Sequence, residues 1–487
     1  MNGRTFSVEM NGICKYAALQ QVTSCGARQF DKISFHLASL PCGSSSQNPP
    51  DQAATGVTFS ERDRTISVGI SLEAVGFCLY VIRDAFAGAM KFYFASFHLD
   101  VLWFSPDFVA IACIVLFLKR SIVDNGSMLA LLVFAQICIS LAIGFFFLDS
   151  ATALASSIKM IFPLFVGFCF ADRNLADYPK SLAVVTGTLY LTLFGIFLSK
   201  YWSMPWVGFK YESFGATREA QRLWWSFAEQ RLAGFAADST MAAYFILVAF
   251  VMTSIRRSIP WCLVVGGMSI YAIRLTTNKT AMGVLVIYVV ALLFVRALPD
   301  EKRLNTLRRL TIWSFASILV PIALILLLTG VDLAPGQRGF FFSIQDRINN
   351  SWQMPFVYLS QLMPIGIVTG CGVGCFNYPQ QLFSNLRDLW VPVDNFYIGT
   401  YVMFGFPFVI FMWMVFRSML IVTDVYKLSL VFVTNIFTIT VLSYGPATGL
   451  LVIALGFSEV FSKRATALFQ TGKREGVVPS ETRLSTG

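Results

Sequence analysis

The sequence predicts an all-α polytopic membrane protein, with about 12 transmembrane helices and one large, partly helical outer loop. Composition is the first observation: 56% of the 487 residues are hydrophobic and only 13% are charged, against about 25% charged in soluble domains. The second is that apolar stretches of about 20 residues recur along the chain, each long enough to cross a bilayer as a helix. The third is a long polar interruption at 330–394, rich in glycine, arginine and aromatic residues.

Twelve apolar stretches define the predicted spans. The first is the least regular because Glu73, Arg83 and Asp84 interrupt it, and 77–97 is its alternative position. A turn predicted at Gly445 separates the last two spans. The predicted spans are 69–90, 102–118, 128–148, 152–171, 181–199, 238–255, 259–276, 280–297, 310–329, 395–416, 427–443 and 446–462.

Basic residues orient these spans. Pairs such as Lys119–Arg120 and Arg256–Arg257 follow the even-numbered spans, so the positive-inside rule places both termini in the cytoplasm. The loops 200–237 and 330–394 then face outward. The predicted organisation is a disordered cytoplasmic segment 1–65, nine spans with an outer loop 200–237 in 66–329, a large outer loop 330–394, three spans in 395–462 and a cytoplasmic tail 463–487.

Several classes of site are excluded by residue usage. The chain has only two histidines, His36 and His98, and no Cys/His cluster with metal-ligand spacing. No phosphate-binding loop or dinucleotide fingerprint follows a strand, so we expect no metal and no cofactor. The net charge of +10 lies mostly at the ends of spans and does not indicate a nucleic-acid partner. We interpret Cys371 and Cys375 as small residues beside glycines, with a disulfide as the alternative.

Cations in the predicted outer regions need a reason, because the positive-inside rule disfavours them there. Guanidinium groups bind phosphate bidentately, so binding of a lipid pyrophosphate at the outer face would explain these cations. The candidates are Arg231, Lys279, Arg338 and Arg347. Interfacial anchoring is the alternative role for Lys279. By contrast, we interpret Arg218 and Arg222 as solvated charges paired with nearby glutamates.

The large outer loop carries two further features. An apolar rhythm at helical spacing over 344–362 predicts a helix, with Pro355 marking its kink or its start. Trp352 has an aromatic face suited to stacking on a sugar. At the end of the loop, Asp394 is a candidate general base, and Asn395 is a candidate to orient it. A helix N-cap is the alternative role for this Asp-Asn pair.

These residues together resemble the O-antigen ligase and O-antigen or exopolysaccharide repeat-unit polymerase superfamily. The motifs are short, and two positions depart from the family pattern: the ligases usually carry histidine where Asp394 stands, and Lys279 replaces an arginine. The resemblance covers roughly 90–460. It is carried by Arg347, Trp352, Gly370, Gly372, Gly374, Phe376, the run Asp394-Asn395-Phe396-Tyr397, Arg231 with Gly234, and Asn278-Lys279-Thr280.

The resemblance implies a metal-independent glycosyltransferase of the bacterial inner membrane. Such a polymerase joins undecaprenyl-pyrophosphate-linked oligosaccharide repeat units at the periplasmic face, with membrane lipids, a chain-length regulator and a repeat-unit flippase as partners. It also implies catalytic roles for Asp394, Arg231 and Arg347. Lys279, Arg338, Trp352 and Asn395 are then expected to bind pyrophosphate or glycan. The alternatives are an O-antigen ligase acting on lipid A–core, and a transporter or flippase, which Lys159 within a span favours.

Overall fold

The computed structural model describes residues 71–213, 215–226, 229–331, 340–441 and 444–471. The segment 1–65, Arg338 and the tail beyond 471 therefore lie outside the described residues. Within them, six helical stretches are long and apolar enough to cross a membrane: Asp100–Asp124, Met128–Leu148, Ala151–Phe168, Pro179–Ser199, Lys279–Ala297 and Asp300–Leu328. Shorter apolar helices are Ser239–Ser254, Ile259–Leu275, Phe406–Met419, Val425–Phe437 and Ala447–Phe461.

Most of the described chain is helical. Its first helices are α1 (Leu72–Ala85), α2 (Ala87–Ser96), α3 (Ser105–Phe117), α4 (Met128–Leu148), α5 (Ala151–Phe168), α6 (Pro179–Ser199), α7 (Ser239–Ser254), α8 (Ile259–Leu275), α9 (Lys279–Ala297), α10 (Asp300–Ser314) and α11 (Ala316–Leu328). The loop 330–394 contains α12 (Phe340–Asp346), α13 (Met354–Leu362), α14 (Gly366–Thr369) and α15 (Tyr378–Phe383). The chain continues with α16 (Phe396–Phe404), α17 (Phe406–Met419), α18 (Val425–Phe437), α19 (Ala447–Phe457) and α20 (Lys463–Thr471).

Two short β-hairpins in the loop 200–237 were missing from the all-α prediction. Strand β1 (Lys210–Ser213) pairs with β2 (Ala216–Glu219), and β3 (Trp225–Ser226) pairs with β4 (Glu229–Gln230). Gly215 has a φ of +76° at the first turn, a conformation that glycine adopts without steric penalty. The register of the first hairpin sets Tyr211 opposite Arg218. This pairing holds the arginine at a fixed place on the loop.

The charges that interrupt the first predicted span are buried inside the helix bundle, each with a partner. Glu73 accepts from Arg120 Nη1 at 3.1 Å, and Arg83 Nη1 donates to Asp107 Oδ1 at 3.2 Å. Asp84 Oδ2 accepts from the backbone N–H of Thr448 at the start of α19. Paired burial of this kind avoids the large desolvation penalty of an isolated charge. These contacts tie α1 to α3 and α19.

The glycine-rich turn of the loop 330–394 packs directly on the helix bundle. Gly370, Gly372 and Gly374 have φ values of +80°, +89° and +99°, a backbone conformation that glycine adopts without steric penalty. The N–H of Val373 donates to the carbonyl of Ser140 in α4 at 2.9 Å. A Cβ on Gly372 would overlap the backbone of Gly144 in α4. The loop is therefore fixed to α4 by backbone contact.

Cys371 and Cys375 form a disulfide within this turn. Our interpretation of them as unpaired small residues is therefore wrong. Their Cα atoms lie 6.1 Å apart, which is within the range that a disulfide spans, because the positive-φ glycines fold the turn back on itself.

We expect Gly372→Ala to destabilise the protein by several kcal/mol, because the added methyl group meets backbone and the positive φ is strained. Thermal unfolding of the purified protein in detergent measures the effect. The matched control is Gly283→Ala in α9, where an added Cβ meets nothing within 4 Å. That variant should be neutral or slightly stabilised, since alanine is the better helix former. Equal melting temperatures for both variants would contradict the packing described here.

Candidate functional site

The carboxylate of Asp394 lies between an arginine and a tryptophan. Arg347 Nε is 2.8 Å from Oδ2, and the indole Nε1 of Trp352 donates to Oδ1 at 2.9 Å. Each carboxylate oxygen therefore has one strong donor. We call these three residues the Asp394 site. The sequence singled out all three, and the structure brings them into direct contact across more than forty positions of chain.

A wide helical turn places the two donors on one side of the chain. Residues Arg347–Trp352 form a π-type turn, in which the N–H of Gln353 donates to the carbonyl of Ile348, five residues earlier. Such turns are frequent at functional sites because they redirect side chains within a helix. Ile348 and Trp352 are almost fully buried and fix the turn on the bundle. Pro355 then lies in the first turn of α13, which agrees with a helix start there.

Asn395, and not Asp394, caps the following helix. Its side-chain oxygen accepts from the N–H of Ile398 at 2.9 Å, and its side-chain nitrogen donates to the carbonyl of Ile439 at 2.8 Å. Both polar atoms of this buried side chain are thereby satisfied. Capping therefore does not account for the position of the Asp394 carboxylate. The assignment of Asn395 to substrate binding stays a prediction.

Burial raises the pKa of Asp394 from its ordinary value of 3.8 to about 6. The nearby guanidinium of Arg347 and the hydrogen bond from Trp352 act in the opposite direction, but desolvation of the carboxylate is the larger effect. The side chain keeps 29% of its surface accessible. Asp394 is thus a partly accessible carboxyl group that changes its protonation state close to neutral pH.

Arg231 and Lys279 lie on a backbone framework that also reaches the Asp394 site. Arg231 Nε donates to the carbonyl of Thr276 at 3.2 Å, and partial burial lowers its pKa. Lys279 is the exposed first residue of α9, and the next residue, Thr280, accepts from Thr440 at 2.9 Å. The segment around 438–440 also binds Asn395 and Phe396, and so connects α9 to the start of α16. Arg338 lies outside the described residues.

The structure also contains a polar cavity of about 660 Å³. Its walls come from α1, α5, α15, the start of α7, the first β-hairpin and the residues before α19. Its cationic side chains are Arg83, Lys91, Lys159, Arg218 and Arg222. The prediction that Arg218 pairs with a nearby glutamate is wrong, since its Nε and Nη2 atoms are buried without a hydrogen-bond partner. Glu229 instead binds Arg274 with two hydrogen bonds, at 2.9 and 3.2 Å.

An apolar groove of about 320 Å³ adjoins the polar cavity. It lies between α4, α5, α16, α17 and α19, and nearly all of its lining is hydrophobic. Tyr444 lines both the groove and the cavity. The ring of Phe396 stacks on Tyr444 with the ring centroids 5.5 Å apart. Phe396, which follows Asp394 by two residues in the chain, therefore contacts the residue that the apolar groove and the cationic cavity share.

Sequence reasoning missed most of the cationic cavity. The available signal in the sequence was charge within the predicted spans, because an ionisable residue within a membrane segment is by default a candidate for function. Arg83 in the first predicted span and Lys159 in the fourth both carry that signal, and both form ion pairs with Asp107, at 3.2 and 3.6 Å respectively. Their convergence on one carboxylate required the packing of α1, α3 and α5, which no local pattern encodes.

A scan against protein-family models finds no match for the chain, and a search of curated proteins finds none either. Any assignment of function must therefore be argued from short motifs and from the geometry of the site.

The raised pKa of Asp394 predicts a pH-dependent stability difference between the protein and Asp394→Asn. The folded-state pKa of about 6 exceeds the ordinary value of 3.8, so the folded state holds more protons between these values. Stability from this group is complete below pH 3.8 and is lost as the pH rises through 6. Relative to Asp394→Asn, the protein should lose at most about 3 kcal/mol of unfolding free energy between pH 4 and 7.

Unfolding in detergent across this pH range measures the difference. Asp388→Asn is the matched control, since it removes an exposed carboxylate from the same loop. A difference for Asp394→Asn that does not change with pH would contradict the desolvation of this group.

Proposed function

We propose that the protein is a polysaccharide polymerase. It joins undecaprenyl-pyrophosphate-linked oligosaccharide repeat units at the periplasmic face of the inner membrane, in O-antigen or exopolysaccharide biosynthesis. The observation that carries this proposal is the position of Tyr444, which lines both an apolar groove and a cationic cavity and stacks on Phe396, two residues after Asp394 in the chain. A lipid-linked glycan is itself apolar at one end and anionic and polar at the other.

The groove suits the lipid part of this substrate. Its lining includes Leu129, Leu132, Phe404, Phe408 and Phe411, and its polar contribution is small. An isoprenoid chain that enters the groove from the bilayer gains no hydrophobic energy, so its contacts there are van der Waals packing against side chains of matching polarity. Tyr444 and Phe396, at the start of α16, both line the groove, and we place the pyrophosphate beside them with the isoprenoid chain along the groove.

Asp394 is the proposed general base. In the transfer, the acceptor hydroxyl gives its proton to Asp394, and its oxygen bonds to the anomeric carbon of the donor sugar. The bond from that carbon to the pyrophosphate oxygen breaks, and undecaprenyl pyrophosphate leaves with the electron pair. A base is most effective when its pKa lies near the working pH, and burial raises that of Asp394 to about 6.

Arginine and lysine side chains stabilise the leaving group in this proposal. Arg347 is the closest cation to Asp394, and Arg231 and Lys279 lie on the connected backbone framework. Cations held in place before reaction stabilise developing charge without reorganisation. Arg347 thus passes from the Asp394 carboxylate to the pyrophosphate as the carboxylate takes up its proton.

The proposed topology has twelve spans with both termini in the cytoplasm. Helices occupy each of the twelve predicted ranges, although α1 with α2, and α16 with α17, are broken at Phe86 and Gly405. The disulfide between Cys371 and Cys375 supports an outward position for the loop 330–394, because disulfides persist in oxidising compartments.

Two alternatives use the same surfaces. A ligase would transfer the glycan to lipid A–core, and aspartate rather than histidine at position 394 favours the polymerase. A flippase or transporter is favoured by one specific observation, the buried charges of Arg83, Asp107 and Lys159 within the bundle. Those charges are already paired with one another, which favours a fixed wall over an alternating gate.

We expect Asp394→Asn and Arg347→Gln each to reduce polymer formation by at least about 100-fold, since each removes a group that acts on the reacting atoms. The assay supplies purified protein in nanodiscs with lipid-linked repeat units and separates the products by length. Arg387→Gln is the matched control, an exposed arginine of the same loop, and should retain full activity. Long products from both site variants at the normal rate would refute the catalytic assignment.

The pH profile of the same reaction tests the role of the ion pair. Activity should rise with pH through about 6, as Asp394 loses its proton. Because Arg347 lowers the pKa of Asp394, the rise in activity should stay near pH 6 in Arg347→Lys and should move to higher pH in Arg347→Gln. A rise at the same pH in Arg347→Gln would assign the titration to another group.

The rate at which labelled lipid-linked substrate crosses the bilayer distinguishes the polymerase from the flippase. The polymerase predicts longer products with no change in the rate of crossing. Crossing without longer products would replace the proposal with the flippase.

A further inference from the structure

Arg218 is a cation with an unfilled binding capacity. Its Nε and Nη2 atoms are buried and make no hydrogen bond within the protein, although the residue lines the polar cavity. A buried charged donor without an acceptor is unfavourable by several kcal/mol relative to one that is satisfied. The usual way to satisfy two adjacent guanidinium donors is a planar, bidentate oxyanion.

The guanidinium is held in place by its neighbours. It lies over the rings of Tyr378 and Phe383, at 5.7 and 5.3 Å from their centroids. On the hairpin it stands opposite Tyr211, which also lines the cavity. Aromatic faces on the guanidinium leave its edge as the direction for hydrogen bonds. Arg218 is thus oriented before any ligand arrives.

The charge of the cavity matches a ligand of low charge. Its five cationic side chains face three carboxylates, those of Asp84, Glu219 and Asp238. Asp107, behind the wall, further neutralises Arg83 and Lys159. The small positive excess suits a single carboxylate better than a pyrophosphate, which carries more negative charge.

Aromatic walls suit the rest of such a ligand. Trp103 and Tyr211 line the cavity, and the ammonium of Lys91 lies 5.1 and 5.2 Å from their ring centroids. A further hollow of about 200 Å³ shares these three residues but also carries the carboxylates of Asp100 and Glu212, so the sugar carboxylate belongs in the larger cavity. Sugar rings present apolar C–H faces that pack on aromatic side chains. The larger cavity, at about 660 Å³, lies by itself in the size range of small-molecule sites.

We propose that this cavity is a subsite for an acidic sugar of the repeat unit, with Arg218 binding the sugar carboxylate and Lys159 lying in the same wall. The inference rests on the proposed function and deepens it, since it names a hexuronic acid or similarly carboxylated sugar as part of the substrate. It assigns pyrophosphate to the Asp394 site and the glycan carboxylate to the Arg218 cavity, so the two anions of one substrate have separate partners.

Binding of a soluble probe tests this subsite without turnover. Titration calorimetry on the protein in nanodiscs compares methyl galacturonoside, which carries one carboxylate, with its methyl ester, which has nearly the same shape without the charge. Methyl galacturonoside should bind about tenfold or more tightly than the ester, and Arg218→Gln should remove that advantage. Inorganic pyrophosphate, as a competitor, should displace methyl galacturonoside poorly.

Lys210→Gln is the matched control, because it removes an exposed charge from the same hairpin without altering the cavity lining. It should bind methyl galacturonoside as the unaltered protein does. Melting temperatures of both variants identify any loss of folding, and Arg218→Lys, which keeps the charge and loses the fork, should bind with intermediate affinity. Equal affinity for the acid and its ester would overturn the proposal, as would unchanged binding by a folded Arg218→Gln.

The subsite and the proposed function can fail separately. If methyl galacturonoside binds as expected but Asp394→Asn still makes long polymer, the catalytic proposal fails and the carboxylate site stands. If polymer forms only with Asp394 intact while the acid and ester bind equally, the acidic-sugar inference fails alone.

Discussion

Burial in a low-dielectric bundle requires each ionised side chain to find a partner, and this constraint governs the arrangement of the charged residues. Glu73, Arg83 and Asp84 meet it with partners on other helices. Lys427, near the start of α18, is paired with Glu459 and with the carbonyl of Phe170. Asp394 is paired with Arg347 and Trp352, but burial still raises the pKa of its carboxyl group.

The described part of the loop, 340–394, is held on the helix bundle at two places. The glycine turn packs on α4, and the disulfide closes that turn. At its end, Asn395 caps α16 and binds the carbonyl of Ile439. Asp394 is therefore held between a capped helix and a buried tryptophan, which gives its carboxylate a defined direction. A general base needs that precision more than it needs an extreme pKa.

Part of this arrangement was predictable from local sequence. Apolar stretches located the helices, and Pro355 marked the start of α13. Arg347, Trp352 and Asp394 were each singled out as candidates, but their mutual contact was not predicted. The partners of Arg218 and Lys159 were not predictable, because they depend on how α1, α3, α5 and a β-hairpin pack together. The sequence alone favoured unpaired cysteines over the disulfide, because composition does not encode the turn geometry that brings Cys371 and Cys375 together.

The central claim is that the junction beside Tyr444 receives a lipid pyrophosphate, with Asp394 and Arg347 at the reacting end. The most direct measurement is an electron cryo-microscopy structure of the protein in nanodiscs with a non-cleavable polyisoprenyl diphosphonate. The account predicts the diphosphonate in contact with Arg347 and the isoprenoid chain along the apolar groove. A diphosphonate bound away from Arg347, with the Arg347–Asp394 pair unchanged and the groove empty, would contradict it.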